Sequence, residues 1–175
     1  MTQRQFYDWQ TAGGGGDVSL LVETLERRKI PWCMIGGLAV NHWAAEPMAT
    51  ADVDVVIAAE RVAEALKALA KAGFKARHFE WSVNLKGRSK VSVQISTEDF
   101  YRDFPGRSVP ADIHGILMRV ACLEDTLRGK MKACEDTQRR RSKRQKDLLD
   151  ISRLLEAHPK LRKLVPARVL AKIQE

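Results

Sequence analysis

The strand-like run Thr50-Ala51-Asp52-Val53-Asp54-Val55-Val56-Ile57 constrains this chain more than any other stretch. Side chains alternate faces in an extended strand, so Asp52 and Asp54 leave one side while Val53, Val55 and Ile57 enter a core on the other. Two carboxylates about 4 Å apart repel by roughly 4 kcal/mol at an effective dielectric near 20, so they must share a proton or take up a cation. Hard oxygen ligands favour Mg2+ or Mn2+, which keep positions open for water and phosphate oxygens. Just upstream lies Ile35-Gly36-Gly37-Leu38-Ala39-Val40. Without a Cβ, Gly36 and Gly37 let backbone N–H groups approach a phosphate, and a helix expected from near Leu38 would aim its positive end there. Each half alone is a weak signal, but the two in order within one short unit read as a metal–nucleotide site.

These residues resemble the signature of the nucleotidyltransferase superfamily that includes polymerase beta, in which Gly-Gly or Gly-Ser precedes an Asp-x-Asp strand. Ile35 to Asn41 with Thr50-x-Asp52-x-Asp54 is similar to the abortive-infection, AbiEii-type toxin branch. So is Leu123-Glu124-Asp125-Thr126-Leu127, followed by Lys130 and by Lys146-Asp147-Leu148-Leu149-Asp150-Ile151. The resemblance covers most of Trp32 to Glu156. It implies transfer of a nucleoside monophosphate from a nucleoside triphosphate to an acceptor such as tRNA, by a toxin paired with a cognate antitoxin protein. Asp52 and Asp54 would hold the metal ions, Gly36, Gly37, Thr50 and Lys130 would bind the nucleotide, and Gln94 would position the acceptor. Two departures stand out. The branch usually has Arg two positions before the Thr, where this chain has Met48, and a third carboxylate on a later strand, where Val91 to Ser96 offers Gln94.

With 175 residues, 45% hydrophobic and 30% charged, the chain suits one domain with a real core or a core carrying a helical extension. No apolar run approaches the ~20 residues of a membrane-crossing helix and the start lacks a signal-peptide pattern, so a cytoplasmic protein without a membrane partner is expected. Cys33, Cys122 and Cys134 sit at unrelated spacings and are expected to be reduced packing residues. The formal charge of +8 favours polyanionic partners. Much of it is concentrated in Arg139-Arg140-Arg141-Ser142-Lys143-Arg144-Gln145-Lys146, which reads equally as an RNA-phosphate contact and as a solvated connecting segment.

Residues 1–16 read as a flexible lead, because the Gly13 to Gly16 run suits neither helix nor strand. Residues 17–120 read as a nucleotidyltransferase-like core and 121–175 as a helical region packed on it. Asp17 or Ser19 is expected to cap a helix ending before Pro31. Strands follow at Trp32 to Ile35 and Asp52 to Ile57, then an amphipathic helix over Ala59 to Ala72. Strands at Phe74 to Phe79, Trp81 to Leu85 and Lys90 to Ser96 lead to a loop from Phe100 to Arg107 and two short strands around Gly115. Helices are expected over Leu123 to Cys134, Lys146 to Ala157 and Pro166 to Ile173. This order predicts an α/β or α+β fold, a mixed sheet packed on helices with a helical C-terminal extension.

Lys130 is read either as a phosphate-facing group or as a surface lysine. Asp147 and Asp150, three apart on one helix face beside Lys143 and Lys146, suit local ion pairs, or the orientation of Lys130 or of the metal site that the resemblance implies. His42, about one helical turn after the glycine turn, reads either as a group approaching the pocket or, more commonly for a lone histidine, as a packing or surface group, and Asp112 with His114 gives no constellation. Linear spacing assembles no Ser-His-Asp or Cys-His set. Two rival readings remain: a catalytically silent nucleotide- or RNA-binding module, and a transferase that modifies protein.

Overall fold

The computed structural model describes residues 1–2, 4–5, 7–8 and 13–174. Seven strands form one mixed sheet: β1 (Trp32–Ile35), β2 (Val53–Ile57), β3 (Lys75–His78), β4 (Ser82–Lys86), β5 (Ser92–Ser96), β6 (Val109–Ile113) and β7 (Ile116–Val120), in the order β3-β4-β5-β2-β1-β7-β6. The helices are α1 (Gly14–Arg27), α2 (Gly36–Trp43), α3 (Val62–Lys71), α4 (Leu123–Glu135), α5 (Arg141–Ala157) and α6 (Ala167–Gln174). The predicted mixed sheet flanked by helices is therefore the fold found.

The main core lies between one face of the sheet and α1 and α3. Leu21, Leu25, Val55, Leu69, Val93 and Ile95 are all essentially inaccessible there. A second cluster gathers Val40 of α2 with Leu127 of α4 and Ile151 and Leu154 of α5, so the C-terminal helices pack on the helix that follows β1. Each such side chain contributes roughly 1.5–3 kcal/mol by leaving water.

Several local expectations need correction. The glycine run does not stay out of helix: α1 begins at Gly14, after Gly13 turns in the left-handed region at φ 89°. Gly15 donates its N–H to Asp8 Oδ1, and a Cβ on Gly15 would collide with that carboxylate. Tyr7 is buried in the main core, so part of the expected flexible lead is built into the fold. Residues 3, 6 and 9–12 of that lead lie outside the described residues. Asp17 does not cap the helix; it sits inside α1 and accepts hydrogen bonds from the backbone of Arg88 and Ser89 and from Ser89 Oγ, pinning the β4–β5 turn. The helix after β1 begins at Gly36, two residues before Leu38, and α5 begins at Arg141, so all of the basic run but Arg139 and Arg140 is helical. The segment from Phe100 to Arg107 contains two 3-10 turns, and its Tyr101 and Phe104 pack with Cys33, Val56 and Ala121.

Cys33 and Cys134 are buried and Cys122 half-buried, all three as free thiols. Burial pushes each thiol above its ordinary range, as suits packing residues.

Candidate functional site

Strand pairing brings the sequence candidates together. β2 runs antiparallel to β1 with Ile35 opposite Asp54, and parallel to β5 with Asp54 beside Gln94. Gln94 therefore stands next to the carboxylate, as the alternation of β5 predicts, and Val91, Val93 and Ile95 fill the core behind it. The turn from β1 into α2 passes directly over Asp54. Gly36 adopts φ 71°, and the Asp54 carboxylate fills the space where its Cβ would be. Gly37 faces Thr50 instead, with a would-be Cβ 3.2 Å from Thr50 Oγ1.

A cleft of about 230 Å3 opens here. One wall carries Asp54 of β2, Gln94 of β5, Asp52 just before β2 and Gly36 at the start of α2, and the other carries Lys130, Lys132, Arg139 and Lys143 from α4, α5 and the segment between them, with Asp125, Asp136 and Asp147 among these cations. Glu98, just past β5, and Tyr101 close one side. Neither Asp52 nor Asp54 forms a hydrogen bond or close ion pair with a described residue. Burial pushes the Asp54 carboxyl above its ordinary range. Lys130 opposes that rise, Asp52 adds to it, and Arg139 and Lys143 act with Lys130.

Lys130 is buried and held between two inaccessible carboxylates, 3.0 Å from Asp147 Oδ1 and 2.7 Å from Asp150 Oδ2. Lys130 is therefore a buried, ion-paired group and not a surface lysine. Although burial disfavours its charge, Asp150 and Asp147 raise the ammonium above its ordinary pKa. The network extends both ways. Arg139 Nε lies 2.7 Å from Asp147 Oδ2. On the other side, Arg153 joins Asp150 to Asn41 Oδ1 and to the Glu46 carbonyl. Asn41 in turn clasps the backbone of Met48 through both its N–H and its carbonyl. The loop leading to Thr50 and Asp52 is thus held by α5, although position 48 itself supplies no charge.

The basic run is divided by the fold. Arg139 and Lys143 line the cleft, whereas Arg140 and Arg141 are exposed and Arg144 is half-buried outside the lining. Thr50 and Gly37 pack on each other behind the cleft and are absent from its lining. Glu98, Tyr101, Lys132 and Asp125 were not singled out for the site by sequence reasoning. Glu98 keeps the parity of Gln94 and Ser96, so the alternation of β5 run two residues further would have found it. Lys132, which pairs with Glu98 and lies 5.5 Å from the Phe100 ring centre, carries no local signal.

Among the described residues, no three His, Cys, Asp or Glu side chains are gathered as a metal cage. Two unpartnered carboxylates on one strand edge do suit Mg2+ or Mn2+, which commonly take one or two carboxylates and complete their shell with water and substrate phosphate oxygens. No described helix is long and apolar enough to cross a membrane.

A family model described as the nucleotidyl transferase AbiEii toxin of a type IV toxin–antitoxin system matches residues 20–174. No curated protein matches in sequence. Among solved structures, the chain is similar to ANT(2")-Ia in complex with adenylyl-2"-tobramycin, at TM-score 0.65 and 12% identity, over 89% of this chain and 95% of that one. It is also similar to an antigenic nucleotidyltransferase-like protein from Paracoccidioides brasiliensis, at TM-score 0.54 and 22% identity over 81% and 74% of the two chains. A third is the lincosamide antibiotic adenylyltransferase LnuA bound to lincomycin, at TM-score 0.52 and 14% identity over 74% and 90%. At such identities these structures speak for the fold alone.

Proposed function

The chain belongs to the family of AbiEii nucleotidyl transferase toxins, and on that premise we propose that it transfers a nucleoside monophosphate from a nucleoside triphosphate to an acceptor hydroxyl, with Mg2+ or Mn2+ bound at Asp52 and Asp54. The observation that carries this reading is the opposition, across one small cleft, of two unpaired carboxylates and four cationic side chains. Such a cleft favours a metal–triphosphate, because its negative wall takes the cation and its positive wall takes the phosphates. The metal, when bound, supplies Lewis-acid stabilisation of developing charge on phosphorus-bound oxygens.

The chain's own residues provide the rest. Gly36 keeps the backbone close to Asp54 at the cleft lining, where a backbone N–H would meet a phosphate. Lys130, fixed by Asp147 and Asp150, gives a cation whose position costs no reorganisation when charge develops. Arg139, Lys143 and Lys132 add charge around the triphosphate. Gly37 and Thr50 support the nucleotide site by packing the glycine turn. Gln94, beside Asp54, holds the acceptor hydroxyl by hydrogen bonding, since an amide cannot serve as a carboxylate base. Arg140, Arg141 and Arg144 extend the positive side as contacts for an RNA acceptor such as tRNA. A role as the toxin of a pair, restrained by a cognate antitoxin, accords with the family. The unit of function is read as a core over residues 17–120 with the helical region 121–175 completing its cleft, in a protein acting in the cytoplasm.

Titration calorimetry with Mn2+ and a non-hydrolysable triphosphate tests the site. Asp52→Ala combined with Asp54→Ala is expected to abolish binding, and parent-like binding would place the site elsewhere. A second reading, a silent binding module, draws on Gln94 standing where a third carboxylate would. Labelled-nucleotide incorporation into RNA or protein separates the two readings and identifies the class of acceptor.

A further inference from the structure

The row that begins at Asp54 continues across the sheet beyond the cleft. Asp54 stands beside Gln94, Gln94 beside Asn84, and Asn84 beside Arg77, so four polar residues on four neighbouring strands project to the same side. At about 4.8 Å per strand the row spans roughly 14 Å. Two positions along from Arg77, Phe79 stays on this side, and the Arg77 guanidinium lies 5.1 Å from its ring centre. Phe79 is 48% exposed and Trp81 59%.

Folding alone does not account for this decoration. Lys75 and Lys86 are directly opposed across β3 and β4, a pairing of like charges that costs stability. Lys75 and Arg77 have no carboxylate within ion-pair distance among the described residues, and Glu80 is the sole carboxylate between Lys75 and Trp81. Asn84 Oδ1 is buried without a hydrogen-bond partner among the described residues.

We infer that this face binds a single-stranded polynucleotide, stacking a base on Phe79 and leading the strand's hydroxyl end along Asn84 and Gln94 to Asp54. An exposed ring beside a guanidinium offers a stacking surface that accepts any base. The exposed Lys75 and Arg77 of β3 suit the phosphates between bases. A protein partner fits less well. Binding hot spots seat aromatic anchors in desolvated apolar surroundings, whereas the neighbours of Phe79 on this face are Arg77 and Ser82. The inference rests on the proposed transfer reaction and names its acceptor.

The test is fluorescence anisotropy of a labelled ten-nucleotide single-stranded RNA against the full chain, with Mn2+–triphosphate calorimetry run in parallel. Phe79→Ala is expected to weaken RNA binding roughly five- to hundred-fold, Phe79→Tyr to restore it, and both to leave triphosphate binding unchanged. Phe79 is exposed, and matching circular dichroism spectra establish that the variants are folded. An affinity within two-fold of the parent in Phe79→Ala, or equal binding of the same sequence as a duplex, overturns the inference. A parent that binds the triphosphate but no RNA also overturns it while leaving the transferase reading intact. A parent that binds RNA through Phe79 but no metal–triphosphate does the reverse.

Discussion

Gly36 and Asp54 compete for one volume: the carboxylate of Asp54 sits where any side chain at position 36 would begin. The glycine of the first motif is therefore required by the aspartate of the second, before any ligand is considered. Gly36→Ala must both hold alanine at φ 71°, at a cost of about 1–2 kcal/mol, and displace the carboxylate. Thermal unfolding is expected to show a loss of at least that size, and calorimetry a fall of ten-fold or more in Mn2+–triphosphate affinity. Unchanged affinity would mean that Asp54 does not bind the metal.

Removing Lys130 leaves Asp147 and Asp150 buried with fewer partners. Lys130→Met is expected to cost ~3–5 kcal/mol in urea unfolding, because uncompensated buried charge is expensive. The triple variant Lys130→Met, Asp147→Asn, Asp150→Asn should regain part of that stability without regaining triphosphate affinity. Recovery of both would reduce the lysine to a structural prop.

Arg139 and its neighbours should separate by assay. Arg139→Ala breaks the contact with Asp147 and is expected to lower stability and triphosphate affinity together. Arg140→Ala with Arg141→Ala removes exposed charges and is expected to leave stability within ~0.5 kcal/mol. The same pair should reduce the slope of log affinity for RNA against log salt by up to about two. An unchanged slope returns these two arginines to the role of solvated charge.

Gln94→Asp places a third carboxylate beside Asp54. It is expected to destabilise the metal-free protein, tighten Mn2+ binding, and preserve or raise turnover, whereas Gln94→Ala should lower turnover modestly. If the parent transfers nothing and Gln94→Asp with Met48→Arg restores transfer, the parent is a binding module.

Asp17 gives a pH signature away from the cleft. Burial alone would raise its carboxyl, but hydrogen bonds from Ser89 and Arg88 outweigh burial and hold it below its ordinary 3.8. The unfolded chain therefore binds this proton more readily than the folded one. The contribution to stability is full above that ordinary value and fades as pH falls through the depressed folded one. Asp17→Ala should cost about 2–3 kcal/mol at pH 7 and progressively less in unfolding measured at increasingly acidic pH. A cost that does not change with pH would assign the effect to packing.

The sheet, most of its strand positions, and the convergence of Asp52, Asp54 and Gln94 could be read in advance, because strand alternation is a local property and β2 and β5 are strongly patterned. Three things were hidden. Gly13 to Gly16 scan as helix-averse, yet Gly15 is needed beside Asp8 and its helix is stabilised by burial of Val18, Leu21 and Leu25. The partner of Asp17 is a turn some seventy residues away, which no capping pattern reveals. The division of the basic run between cleft and solvent depends on how α4 meets α5 and on Asp147 capturing Arg139, a contact with no periodic signature.

Because Lys130 is clamped by Asp147 and Asp150, the cleft is assembled from opposite ends of the chain, its carboxylates made early in synthesis and its anchored cation completed late. While the chain is still being translated, a ribosome-bound fragment ending before α5 presents Asp52 and Asp54 but lacks the helix that fixes Lys130. The complete cleft therefore arrives only with the C-terminal helices, and a partly made or C-terminally trimmed copy holds the two carboxylates without a fixed cation opposite them.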